Sequence, residues 1–226
     1  MDEWDFEDRR ASAGRLLEEL DHLLPDQIRA QELSACSKLP FKVALLAGAL
    51  AWRVDELGRG ALGAYDDQMH VAGILLARAT TETVATLRVL HELVTGYQGG
   101  DADALDARLM RGIFGSRTRD DRPSARNVLS DVDQVTKSIP EFRALYDELS
   151  EYAHPNDSGT TTAFAQIHPT GQAALFTPLG ENARRRAWTL IEALVSALML
   201  AVPLYGDIRS QLSAFAAKCE DDVRNS

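Results

Sequence analysis

Cysteine is almost missing from this 226-residue chain: Cys36 and Cys219 stand near opposite ends, and neither belongs to a Cys-x-x-Cys pair. That excludes a zinc site of the paired-cysteine kind and gives no support to a disulfide framework. Both thiols are expected to pack within helices as small hydrophobes. Positive charge is also scarce, with 24 Lys and Arg against 34 Asp and Glu and a formal net charge of -10. Bulk electrostatics of that sign repel nucleic acid, so DNA binding is not predicted and an RNA contact needs a local basic patch. No basic-then-apolar leader opens the chain, because MDEWDFEDRR is acidic. The longest apolar run, 190–205, is interrupted by Glu192, Ser196 and Pro203. It is too short to cross a bilayer with that polar load and reads as a buried core helix, with no membrane partner and the cytoplasm as the expected location. No His-x-x-x-His pair offers two metal ligands on one helix face, and no Gly-x-Ser-x-Gly elbow offers a serine nucleophile. Neither a metal nor a cofactor is expected.

What is present is helical periodicity. Residues 7–24 carry Leu16, Leu17, Leu20, Leu23 and Leu24 close to the i, i+3, i+4, i+7 spacing of an amphipathic helix. Pro25-Asp26 interrupts it, and a shorter helical pattern runs to about Cys36. Pro40 suits the first turn of a helix over 41–57, and Gly58, Gly60 and Gly63 then read as a flexible turn. GRGALG is not a phosphate loop, since no Lys-Ser or Lys-Thr follows and no strand precedes it. The pattern over 66–97 is apolar around most of its circumference, which marks a central helix. Gly96 and the pair Gly99-Gly100 close it.

Further helices are expected over 101–114, 125–137 and 140–153. Residues 161–167 and 172–177 flank His168-Pro169-Thr170-Gly171 as a β-hairpin, marginal alone and therefore expected to pack on the helices. A last helix runs to about Cys219, kinked or broken near 203–206. The fold class is mainly α: one domain over 1–226, a bundle of eight or so helices with a hairpin inserted at about 160–178.

One polar cluster stands out. Arg78 and Glu82, four residues apart, fall inside the apolar sector of the long helix with Val71, Ile74, Ala85 and Val89. Tyr146, Ser150 and His154 share a face of the helix that Pro155 and Asn156 end. If the two faces meet, Arg78 suits a phosphate or carboxylate, with Tyr146, Ser150 and Asn156 as further substrate-binding candidates and Glu82 and His154 as proton-transfer candidates. The other reading of the same residues is a structural network, because buried polar groups need partners whatever their role.

An Arg-x-x-x-Glu helix followed by Tyr-x-x-x-Ser-x-x-x-His-Pro-Asn resembles bacterial helical proteins related to the HEPN superfamily, over roughly residues 66–157. The resemblance implies a helical bundle, often a homodimer, and an association with metal-independent ribonucleases of toxin–antitoxin and phage-defence systems. The ribonuclease motif of that superfamily, Arg followed by His after four to six residues, is not met at His154, whose nearest upstream arginine is Arg143. Arg15 and His22 have a compatible spacing, but Leu16 follows where the family has a polar residue. The resemblance therefore bears on the fold more than on the activity.

Arginines at 108, 111, 117, 119, 122 and 126 form the one basic concentration. Asp120 and Asp121 dilute it, and it reads as a solvated loop before it reads as an RNA contact. Three functions stay open: action on RNA or a nucleotide, a non-enzymatic binding or oligomerisation module, and a small-molecule site in the bundle core.

Overall fold

The computed structural model describes residues 3–225 except Pro169 and Glu181. In chain order it has α1 (Glu3–Asp21), α2 (Ala30–Leu33), α3 (Leu39–Asp66), α4 (His70–Gly96), α5 (Ala102–Phe114), α6 (Val128–Thr136), α7 (Glu141–Ala153), α8 (Thr161–Phe164), β1 (Ala165–Ile167), β2 (Ala174–Phe176) and α9 (Ala183–Arg224). The mainly α fold with an inserted two-stranded hairpin is therefore present.

The core lies where α1, α3, α4 and α9 pack together. Helix α1 contributes Ala13, Leu17 and Leu20, spaced by four and three so that all three point inward. Helix α9 brings Leu190, Ile191, Leu194, Leu198 and Ala201, and α4 brings Ile74, Ala77, Val84 and Leu87. A second, smaller core of Ala85, Val132, Val135, Phe142 and Tyr146 joins α6 and α7 to the flank of α4. Among the described residues α9 alone is long and apolar enough to cross a membrane by composition and length, but 67% of its most apolar window is buried in the bundle.

Gly58, Gly60 and Gly63 do not form the expected turn; all three lie inside α3. Two of them serve close approach. A Cβ on Gly58 would stand 2.9 Å from Leu17 Cδ2, and one on Gly60 3.2 Å from Leu76 Cδ1. The chain reverses later, at 67–69, where Gln68 adopts φ 60° and Met69 N–H donates to Ala64 O at 2.8 Å. That is the left-handed cap with which helices commonly end, here closed by glutamine rather than glycine.

Helix α9 is likewise unbroken through Pro203. Pro203 sits on an exposed face, where water replaces the donor that the ring removes. The expected hairpin is shorter than its apolar pattern. Residues 161–164 wind into α8, and β1 pairs antiparallel with β2 through Ala165↔Phe176, Gln166↔Leu175 and Ile167↔Ala174. Pro169 of the expected turn lies outside the described residues.

The strands do not bury themselves against the helices: Ile167, Leu175 and Phe176 are exposed, Phe176 at 82%. Only the base is anchored. Thr177 N–H donates to Phe164 O at 2.9 Å and Gly180 N–H to Ala163 O at 3.2 Å. The thiols also divide. Cys219 is buried, with burial first and Asp222 second pushing it up to about 11, whereas Cys36 is exposed between α2 and α3 rather than packed in a helix.

Candidate functional site

Helices α4 and α7 meet through three of the residues singled out in the sequence. Arg78 Nη2 donates to Tyr146 Oη at 2.8 Å, and the Tyr146 hydroxyl donates to Glu82 Oε1 at 3.0 Å. The ion pair Arg78–Glu82 closes the triangle at 3.1 Å. The Arg78 guanidinium also stands 5.2 Å from the Tyr146 ring centroid, within cation–π range. Tyr146 is buried, while the Arg78 and Glu82 side chains keep 30% and 25% of their exposure, so the cluster lies at the edge of the smaller core. One donor is left over: Arg78 Nε is buried and has no hydrogen-bond partner among the described residues.

The rest of the helix face does not join them. Ser150 Oγ donates to the carbonyl of Tyr146 at 2.8 Å and so is spent on its own helix. His154 is the exposed residue that ends α7, and its ring makes no hydrogen bond among the described residues. Asn156 holds the turn itself. Its Oδ1 accepts from Gly159 N–H at 3.0 Å, and its Nδ2 donates to Glu151 Oε2 at 2.9 Å. Gly159 is required there, because a Cβ would lie 2.2 Å from His154 O. Arg15, the other candidate arginine, hydrogen-bonds Ser12 on α1 alone among the described residues, and His22 is exposed just beyond the helix.

A different cluster forms beside α4, from the segment that reads as a solvated loop. A cavity of about 590 Å³ opens between α4, α5 and the start of α6, lined among others by Arg108, Arg111, Arg126, Glu92, Ser130 and Gln134. The loop after α5 is tied back on itself: Ser116 N–H donates to Pro123 O at 2.9 Å and Ala125 N–H to Ser116 O at 3.1 Å. It therefore delivers Arg126 to a fixed place.

Charge pairing sorts the arginines. Arg119 pairs with Asp121 at 3.0 Å, and Arg122 lies over the Phe114 ring. Arg126 pairs with Asp131, a buried carboxylate whose other oxygen accepts from Thr86 Oγ1 at 3.0 Å. Arg108 and Arg111, three apart on one face of α5, have no carboxylate partner among the described residues.

Among the described residues the only acid on the cavity wall is already occupied. Glu92 accepts from Arg88 Nε at 2.9 Å and from Gln134 Nε2 at 2.5 Å. Burial on its own would raise the Glu92 carboxyl, but these two hydrogen bonds and the Arg88 charge outweigh it and hold the group below its ordinary value. Helix α6 begins at the same place: Asn127 caps it by accepting from Leu129 N–H at 3.2 Å, and the positive end of its dipole lies at the cavity.

The sequence held a signal for this site, namely two arginines at i, i+3 beside the buried Leu105 and Leu109. It was masked by Asp120 and Asp121, the second of which the fold pairs with Arg119 and Arg122. Among the described residues no three His, Cys, Asp or Glu side chains gather as metal ligands. Fold and site together define a mainly α-helical domain with an arginine-lined cavity on its flank. The chain matches no family model, no curated protein and no solved structure.

Proposed function

We propose that the protein is a cytoplasmic helical module, HEPN-like in its architecture, that binds the phosphate groups of RNA or of a nucleotide in the cavity between α4, α5 and α6. The observation that carries this reading is a pair of arginines, Arg108 and Arg111, without an acid partner on the wall of a cavity whose one carboxylate is already bonded to Arg88 and Gln134. Guanidinium groups recognise phosphate oxygens bidentately, and a volume of about 590 Å³ falls in the range of small-molecule sites. In a chain of net charge -10 such a patch supplies the local attraction that the bulk field denies. On this reading the Arg78–Tyr146–Glu82 triangle fixes α7 against α4 and does no chemistry.

The test is a titration of a labelled oligoribonucleotide across a range of salt concentrations. For single strands the logarithm of affinity falls with that of salt by about 0.7 per neutralised phosphate. The Arg108→Ala/Arg111→Ala variant is expected to bind more weakly and with a shallower slope, by roughly one unit or more. An unchanged slope removes the assignment.

A second reading follows from the spare Arg78 Nε donor: Arg78 holds a phosphoryl group, Glu82 or His154 moves a proton, and Tyr146, Ser150 and Asn156 position the substrate, in a homodimer of the defence-associated type. It requires RNA cleavage that Glu82→Gln and His154→Ala each reduce by about a hundredfold or more. Cleavage identical in both variants discards it.

A further inference from the structure

Among the described residues Arg186 is the largest side chain to be almost wholly enclosed, with 1% exposure, and it has no carboxylate partner there. Its Nη2 donates to Ala163 O at 3.0 Å and its Nη1 to Thr162 O at 3.4 Å, the base of the hairpin. Its Nε is buried without a partner. An unpaired buried charge is among the costlier arrangements a fold can hold, and two neutral carbonyls compensate it only in part.

His70, the first residue of α4, lies close enough for its charged form to be disfavoured by Arg186, after burial itself. His70 is 9% exposed, and its Nδ1 is buried and also lacks a partner among the described residues. Both residues line one cavity of about 350 Å³ between the start of α4, the hairpin base and the start of α9. Its remaining walls are largely apolar: Met69, Val71, Phe164, Pro178 and Leu179. The acid at its mouth, Asp67, is exposed.

We infer that this cavity is a second ligand site, separate from the arginine cavity, for a small amphipathic carboxylate whose head group pairs with Arg186 and His70 and whose apolar part lies against Phe164 and Leu179. The chemistry of the two ends selects the class. A carboxylate supplies the missing counter-charge and accepts from Arg186 Nε, while neutral His70 donates from Nδ1 when that nitrogen carries the proton. An apolar body of modest size covers side chains that otherwise face an open cavity, Phe164 and Leu179 being 42% and 41% exposed.

The experiment is a calorimetric titration of the full chain with octanoate and 3-phenylpropionate, using octan-1-ol as the uncharged match for octanoate. Saturable one-site binding of at least one acid is expected, with octan-1-ol weaker by about tenfold or more. Two variants are compared: Arg186→Met, which removes the charge, and Leu179→Glu, which puts a like charge against the tail at a partly exposed position. Each is expected to weaken acid binding by about tenfold or more. Should Arg186→Met fail to fold, Leu179→Glu and the alcohol comparison decide. No saturable binding of either acid, equal binding of acid and alcohol, or undiminished binding in a folded variant overturns the inference.

Discussion

At the scale of single residues, the question is what a polar side chain does when it is taken partly out of water. Tyr146 is buried and its hydroxyl serves two charged groups at once, accepting from Arg78 and donating to Glu82. Tyr146→Phe keeps the ring and the direct Arg78–Glu82 contact but removes both of those bonds. The expected cost is about 1–3 kcal/mol, read as a lower urea midpoint with an unchanged m-value. No change in midpoint would mean that water serves both charges equally well and that the triangle does not fasten α7.

These residues were legible in the sequence because Arg78 and Glu82 interrupt an apolar sector. His154 and Asn156 stand apart from the Arg78–Tyr146–Glu82 triangle for a physical reason. A helix stop concentrates polar residues for its own hydrogen bonds, and Asn156 spends its amide on that turn. Arg186 had a signal too: four residues before Leu190, it is the one member of Arg184-Arg185-Arg186 on the inward face of α9.

At the scale of elements, glycine gives the clearest contrast between reading a chain and seeing it packed. In sequence Gly58, Gly60 and Gly63 resemble a turn, since isolated glycine says only that Cβ is absent, not whether another helix or solvent fills the place. The structure distinguishes the cases. Gly73, at the crossing of α4 and α9, would put a Cβ 2.4 Å from Leu190 Cδ2 and 3.3 Å from Ala64 Cβ, and Leu190 is fully buried. Gly63 on the exposed side of α3 has nothing within 4 Å.

The same substitution is therefore expected to act in opposite directions. Gly73→Ala destabilises, overpacking of about 1–3 kcal/mol exceeding the gain in helix propensity. Gly63→Ala stabilises by about 0.5–1 kcal/mol. Thermal melts of the two variants check this; shifts of the same sign would show that helix propensity alone governs both sites. Pro203 carries the same lesson, because a proline on a solvent-facing stripe does not stop a helix whose other face is held by Leu198, Ala201 and Tyr205. The hairpin pattern was right in kind but too long, its first four residues being drawn into α8.

For the whole molecule, the fold class was legible because period and length of apolar pattern survive any arrangement of neighbours. The cavities were not, because they depend on which helices come together. Charge at this scale also sets the response to acid. Burial, and then the charge of Arg186, lower the pKa of His70 in the folded chain below its ordinary value of 6.5. The unfolded chain takes up that proton first. The contribution of neutral His70 to stability is therefore complete above about pH 6.5 and is lost as pH falls below it toward the folded value. Between about pH 7.5 and 5 the wild type is expected to lose more melting temperature than His70→Gln does. Equal losses would assign the acid response wholly to carboxylates.

The central claim is that the arginine cavity, and not the Arg78–Tyr146–Glu82 triangle, takes phosphate. The most direct measurement is the Kd of inorganic tripolyphosphate for the wild type, for Arg108→Ala/Arg111→Ala, and for Tyr146→Phe at one ionic strength. The account predicts a loss of about tenfold or more in the double variant, with no change in Tyr146→Phe. Binding that survives the double variant intact, or that fails only when Tyr146 is changed, would contradict it.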